Sequence, residues 1–134
     1  INIINFEDSY DKILNSKVAI ACSGTVTLQL ALASIPTISV YKTSFLNATI
    51  AKFFVNFDNV ILPNFITGKK IIPLLFQNDF NVTNLFNLFC DYYENNSYYR
   101  KIFFAFSEEL KQKINTKDNN FNYKLSTEII KMIN

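Results

Sequence analysis

Histidine is absent from this 134-residue chain, and glycine is nearly so, with two copies. The first absence removes every His-based catalytic triad and most metal sites. The second leaves asparagine, the next-best residue at positive φ, to make the turns, and the loops are accordingly Asn-rich. Two cysteines, Cys22 and Cys90, lie far apart, and no secretory signal is visible; the expectation is two free thiols in a reducing compartment. Charge of either sign is in short supply. The formal net charge is +2, which implies no strong electrostatic partner. The excess falls late, with seven Lys/Arg against four Asp/Glu over 97–134, a slope that suits an anionic membrane surface or a solvated helical face equally. No aromatic-and-basic motif of a nucleic-acid reader is present, and no nucleic-acid partner is expected. No apolar run approaches the roughly 20 residues of a membrane span.

What the chain does have is apolar bulk, 49% hydrophobic with 14 Phe, enough for the core of one domain. Its organising stretch is Lys17 to Pro36. The run Val18-Ala19-Ile20-Ala21 has a buried strand's length and breaks off at Cys22-Ser23-Gly24-Thr25. A helical pattern follows, carried by Val26, Leu28, Leu30, Leu32 and Ala33, and Pro36 stops it. A strand, a Ser-Gly-Thr turn and a helix make an anion site, because the first N–H groups of a helix lack partners and carry the positive end of its dipole. Gly24 admits close approach to the backbone, and Ser23 and Thr25 add hydroxyl donors. The same residues also read more plainly: Ser23 or Thr25 caps the helix and Gly24 makes the turn.

Around that centre, residues 6–14 have the spacing of a short amphipathic helix. Strand 17–21, helix 25–34 and strand Thr37–Tyr41 form a βαβ unit, so the strands are parallel and the fold class is α/β. A helix is expected over Phe45–Val55, a short strand over Val60–Leu62 ended by Pro63-Asn64, and a loop over 65–70. A short helix over Ile71–Phe76 then precedes helices at 82–93, 97–115 and 123–133. The division is a partial nucleotide-sugar-binding α/β domain over 1–95, with carboxy-terminal helices over 96–134 packing on it. Ligands of such sheets bind beyond the carboxyl ends of the strands. Ser23-Gly24-Thr25, Tyr41-Lys42 and Pro63-Asn64 are expected at those ends.

The run ACSGTVTLQLALASIPTISVYKTS, followed by VILPNFITGKKIIPLLFQNDF, resembles the lipid-A-disaccharide synthase family, two-domain glycosyltransferases of the GT-B type. The likeness is close over residues 15 to about 80 and thin beyond, and Leu62-Pro63-Asn64 with Gly68-Lys69 is its most specific part. It implies a partial Rossmann-like carboxy-terminal domain that ends in a helical segment. It also implies transfer of an acylated glucosamine from a UDP-sugar donor to a lipid monosaccharide phosphate acceptor, with no cofactor and no metal. The implied location is cytoplasmic, peripheral on the inner membrane. Ser23, Gly24 and Thr25 would take the donor diphosphate. Gln29, where related enzymes carry Glu on the ribose hydroxyls, would keep one hydrogen bond without the charge. Asn64 would reach a phosphate with its amide, while Lys42 and Lys69 would supply charge without the bidentate fork of Arg.

Two departures qualify that reading. The family's Pro-Glu-Leu stands here as Pro73-Leu74-Leu75. The general base, a carboxylate, belongs to an amino-terminal domain outside this sequence, and Asp58, Asp79, Asp91 and Glu94 read as turn and surface residues. The chain alone is therefore expected not to catalyse, and to need a complementing amino-terminal half. Its uncovered sheet edge and apolar helix faces predict self-association. Two other readings of the same fold stay open: a non-catalytic remnant or interaction module, and another UDP-sugar transferase.

Overall fold

A computed structural model describes residues 9–22, 24–42 and 61–115. The expected helices over 45–55 and 123–133 lie outside the described residues. Among the described residues, five helices and three strands run in the order α1 (Ser9–Leu14), β1 (Ala19–Cys22), α2 (Thr25–Leu32), β2 (Thr37–Tyr41), α3 (Leu62–Thr67), β3 (Leu74–Phe76), α4 (Val82–Glu94) and α5 (Asn96–Asn115). The strands form one parallel sheet in the order β1-β2-β3, with Ala19 beside Thr37, Cys22 beside Val40, and Tyr41 beside Phe76. The fold is thus α/β with a parallel sheet, and mostly helical by length.

The βαβ unit forms where the pattern placed it, and its turn chemistry is visible. Beyond α2, Ser34 takes the left-handed conformation (φ 59°), its N–H reaching Ala31 O and that of Ile35 reaching Leu30 O, each at 3.0 Å. This crossed pair satisfies the last carbonyls of the helix, and Ile35 packs back on Leu30 as such endings require. Pro36 then leads into β2, whose residues Thr37 to Val40 are all buried as the central strand.

Two expected elements are corrected. Leu62 to Thr67 is a helix, whereas the sequence reading put a strand over 60–62 and a loop after it. Pro63 fits the first helical turn, where no intrahelical N–H is needed, and buried Pro63, Asn64 and Thr67 fall on one helical face. Gly68 ends α3 at φ 72°, donating its N–H to Asn64 O at 2.8 Å. The second correction follows from the first. Leu74–Phe76, expected within a helix, is β3. Short apolar runs fit either state, and the open side of β2 decides: Ser39 N donates to Pro73 O at 2.9 Å and starts the ladder.

The main core lies between the sheet and the helices that cover it. Ile38 and Val40 from β2, Ile61, Ile72 and Tyr92 meet Phe103, Phe106 and Leu110 of α5. Phe103, Phe106, Ser107 and Leu110 recur at the i, i+3, i+4, i+7 spacing that turns one stripe of α5 inward. Burial of such a side chain contributes about 1.5–3 kcal/mol. The polar member of the stripe is paired: Ser107 Oγ donates to Leu32 O at 2.8 Å, closing an end carbonyl of α2. At its other end α5 holds the approach to β1, with Arg100 donating to Ser16 O and Asn96 to Lys17 O, both at 2.7 Å. The sheet and its first turn are therefore set by the last described helix.

Candidate functional site at the carboxyl edge of the sheet

The three strands end side by side, and the chain leaves them at Cys22, Tyr41 and Phe76. Gly24 is the residue preceding α2, at φ 132° and ψ −158°, a conformation open in practice only to glycine. Among the described residues a Cβ there would meet nothing within 4 Å, so none of them fills the corner. Having no side chain, Gly24 caps no N–H; its carbonyl instead accepts from Thr27 N at 3.2 Å and Thr27 Oγ1 at 2.7 Å. The first-turn amides of Thr25 and Val26 face this corner of the chain without a side-chain cap.

Thr25 is the first residue of the helix rather than its cap, which removes one of the plainer readings of the turn. It is exposed, as is Gln29 one turn on, and the i, i+4 spacing places both on one face. Lys42, exposed, follows the carboxyl end of the neighbouring strand. Gly24, Thr25 and Lys42 thus follow strand ends at one edge of the sheet, with Gln29 one turn along α2. Ser23 lies outside the described residues.

Asn64 and Lys69 stand differently. Asn64 sits in the first turn of α3, not at a strand end, and is 7% exposed. Its amide pairs twice with one residue: Nδ2 donates to Ile72 O at 2.8 Å, and Ile72 N donates to Oδ1 at 3.1 Å. That clasp fixes the loop between α3 and β3. Lys69 lies on that loop, and its Nζ meets Glu109 Oε2 of α5 at 2.5 Å. The bond from Lys69, with the charges of Lys69 and Lys113, holds the Glu109 carboxyl below the usual carboxylate range. Lys113 Nζ also donates to Thr67 O at 2.9 Å, closing the end of α3.

The place at the sheet edge that the sequence reading gave to Pro63-Asn64 falls to Gln77. This non-glycine residue follows β3 at φ 52°, with its N–H on Tyr41 O at 3.2 Å. Beside it the rings of Tyr41 and Phe76 stack at 6.1 Å, as their register dictates. The signal for Gln77 was the polar run Gln77-Asn78-Asp79 after an apolar segment, hidden by the assignment of that segment to a helix.

No carboxylate within the described residues is set up as a base at this edge. Asp91 accepts from Tyr99 and, at 2.7 Å, from Asn95, which lowers its pKa, Tyr99 contributing most. Asp79 sits in the turn after β3, and Glu94 ends α4. Asp58 lies outside the described residues. Among the described residues no three His, Cys, Asp or Glu side chains gather as a metal site. No described helix is long and apolar enough to cross a membrane. Cys22 and Cys90 are free thiols.

Comparison with known proteins bears on this edge. The model of the lipid-A-disaccharide synthetase family matches residues 1–129. The chain is 44% identical over 64 residues to the lipid-A-disaccharide synthase of Rhodopseudomonas palustris (strain HaA2), covering 48% of this chain and 16% of the relative. It is 34% identical over 100 residues to that of Sulfurihydrogenibium sp. (strain YO3AOP1), covering 74% of this chain and 26% of the relative. The chain thus spans between about a sixth and a quarter of the length of these relatives.

Proposed function

This chain belongs to the lipid-A-disaccharide synthetase family, and from that premise we propose that it forms the donor-binding part of a glycosyltransferase of lipid A biosynthesis. The reaction is the displacement of UDP from a UDP-activated diacylglucosamine by the hydroxyl of a diacylglucosamine 1-phosphate. The observation that carries the proposal is the open corner at Gly24. A diphosphate leaving group gains charge as the sugar departs, and unpaired amides at a helix N-terminus stabilise that charge without reorganising. In this reading the Thr25 hydroxyl and first-turn amides hold the diphosphate and Lys42 supplies a positive charge. Gln29 accepts one ribose hydroxyl. Ser23 joins the same cradle. Asn64 and Lys69 enter it only if their bonds to Ile72 and Glu109 open.

Displacement also requires a base for the acceptor hydroxyl. In the family's fold that carboxylate belongs to the amino-terminal half, so residues 1–134 supply donor binding and turnover needs that half as well. In this reading the two halves work together on a membrane surface, where the lipid substrates reside.

Titration of the chain with UDP, followed by amide NMR, tests the donor site. The expected result is saturable shifts at Gly24, Thr25, Val26 and Lys42 at millimolar ligand or below, weakened in Gly24→Ala. If a folded chain shows no response at this corner, the donor assignment fails and a remnant without ligand is left. Mixing the chain with a separately produced amino-terminal half then tests the rest, with disaccharide formed by the pair and by neither part alone.

A further inference from the structure

The donor site at Gly24 leaves one side chain of the same edge unused, that of Tyr41. Cys22 lies beside Val40 in register, so Tyr41 stands one strand over from the Gly24 turn, about 4.8 Å across the sheet. Its side chain shares a face with that of Ser39 and, by the same register, with that of Ala21, which clusters with Leu30 of α2. Tyr41 therefore projects on the face that α2 covers, at the end where α2 begins. Along this row Thr37 and Ser39 are fully buried, and Tyr41 surfaces at 41% exposure. The ring is held in place, because Phe76 stacks on it with the two planes 6° apart. Its phenol oxygen has no hydrogen-bond partner among the described residues.

We propose that Tyr41 positions the sugar of the donor, with a pyranose ring against its exposed side and a sugar hydroxyl on its phenol. The inference rests on the reading of Gly24 as the diphosphate site and goes one step further along the same ligand. In a UDP-sugar the diphosphate stands between the ribose and the sugar. With the ribose at Gln29, one turn along α2, the sugar leaves the diphosphate on the other side, towards β2. The exposed ring on that side is Tyr41. A pyranose has an apolar C–H face and a rim of hydroxyls, and tyrosine offers an apolar ring with a polar tip, so the two halves of each match. Uracil is also flat enough to stack on a ring, but Gln29 holds the nucleoside at the opposite end of the diphosphate.

Titration of the full chain with UDP and with UDP-N-acetylglucosamine, followed by amide NMR, reads the contribution of the sugar as the ratio of the two affinities. The sugar nucleotide is expected to bind roughly two- to tenfold tighter than UDP, the scale of one aromatic contact. Tyr41→Ala should bring the two ligands to equal affinity and leave that for UDP unchanged. Tyr41→Phe should keep part of the difference, since the ring stays and the hydroxyl goes. Should Tyr41→Ala not fold, nuclear Overhauser contacts in the unaltered chain decide alone: the Tyr41 ring protons should meet pyranose protons and not those of uracil. Equal weakening of both ligands in Tyr41→Ala would put the nucleotide on Tyr41 and overturn the proposal. So would a sugar advantage that survives Tyr41→Ala, or one absent from the unaltered chain. Each of these leaves a UDP response at Gly24 standing, whereas a folded chain that binds no UDP there overturns the donor site and this assignment together.

Discussion

The carboxyl edge of the sheet and the seam between α3 and α5 carry similar residues and use them in opposite ways. At the seam Asn64, Thr67, Lys69, Ser107, Glu109 and Lys113 each have a named partner within the chain. At the edge, among the described residues, nothing crowds Gly24, and Thr25, Gln29 and Lys42 are exposed with no side-chain hydrogen bond. Polar groups that satisfy one another hold a fold, and polar groups gathered without partners at strand ends are available to a ligand. The difference separates the residues of one family motif set into two kinds, holders and presenters.

The comparison breaks most visibly at the core beneath the seam. Phe103 is wholly buried and packs edge-on against both Tyr92 and Phe106. Phe103→Ala should cost about 3–5 kcal/mol, a large part of the stability of a domain this size. Urea unfolding measures it. If α5 is only an appendage, the loss will be small and the sheet will unfold unchanged.

Asn64→Ala sharpens the same contrast. It strips partners from a backbone N–H and a backbone carbonyl of Ile72, at about 1–3 kcal/mol for each group left buried and unpaired. The expected signature is lower stability and faster hydrogen exchange at the Ile72 amide. Unchanged stability with weaker UDP binding would move Asn64 from holder to presenter.

The two regions were not equally legible in the sequence. The βαβ unit could be read because its signals agree: a β-branched run, a helical pattern, a glycine between them and a proline after. Ser34 at positive φ was not foreseeable residue by residue, but the stop at Pro36 announced the ending it makes. Residues 60–76 were misread because Pro63 suits either the end of a strand or the first turn of a helix, and Leu74-Leu75-Phe76 is too short to show a period. Only the vacant side of β2 settles both. The roles of Asn64 and Lys69 depend on Ile72 and on Glu109, forty residues further along, which no local pattern reveals. The exposed positions of Gln29 and Lys42, by contrast, follow from the boundaries of α2 and β2 alone.

Titration offers a third contrast, since two groups on the paired side of the molecule, Asp91 and Tyr99, tie its stability to pH. Hydrogen bonds from Tyr99 first, then Asn95, hold the Asp91 carboxyl below its ordinary 3.8. A depressed folded value means that the contribution of Asp91 is fully present above about pH 4 and fades as pH falls below it. The same bond to Asp91 is the main cause that pushes the Tyr99 phenol from 10.0 up to about 12. A raised value works in the other direction: the contribution of Tyr99 is complete below pH 10 and is lost as pH climbs towards 12. Stability against pH should therefore fall at both ends, and Tyr99→Phe should flatten both falls. Gly24, Thr25 and Gln29 titrate in neither window. A Tyr99→Phe profile identical to that of the unaltered chain would show that the α4–α5 joint is not held by this bond.

The smallest effects on stability should come from the presenters, and that is what makes them informative. Lys42 is exposed beyond the end of β2, so Lys42→Ala should leave the unfolding midpoint within about 0.5 kcal/mol of the unaltered chain. If its ammonium meets a diphosphate, the same change should weaken UDP about tenfold, the scale of one hydrogen bond to a charged group. Gln29 allows the opposite experiment. A carboxylate accepts a ribose hydroxyl about twice as strongly as a neutral amide, so Gln29→Glu should tighten UDP several-fold and leave uridine-free diphosphate no better bound. Improvement for UDP alone would locate the ribose on the exposed face of α2, one turn from Thr25. Weakening of both ligands would show that position 29 faces the phosphates instead, where added negative charge repels, and would reverse the donor's direction across the sheet edge.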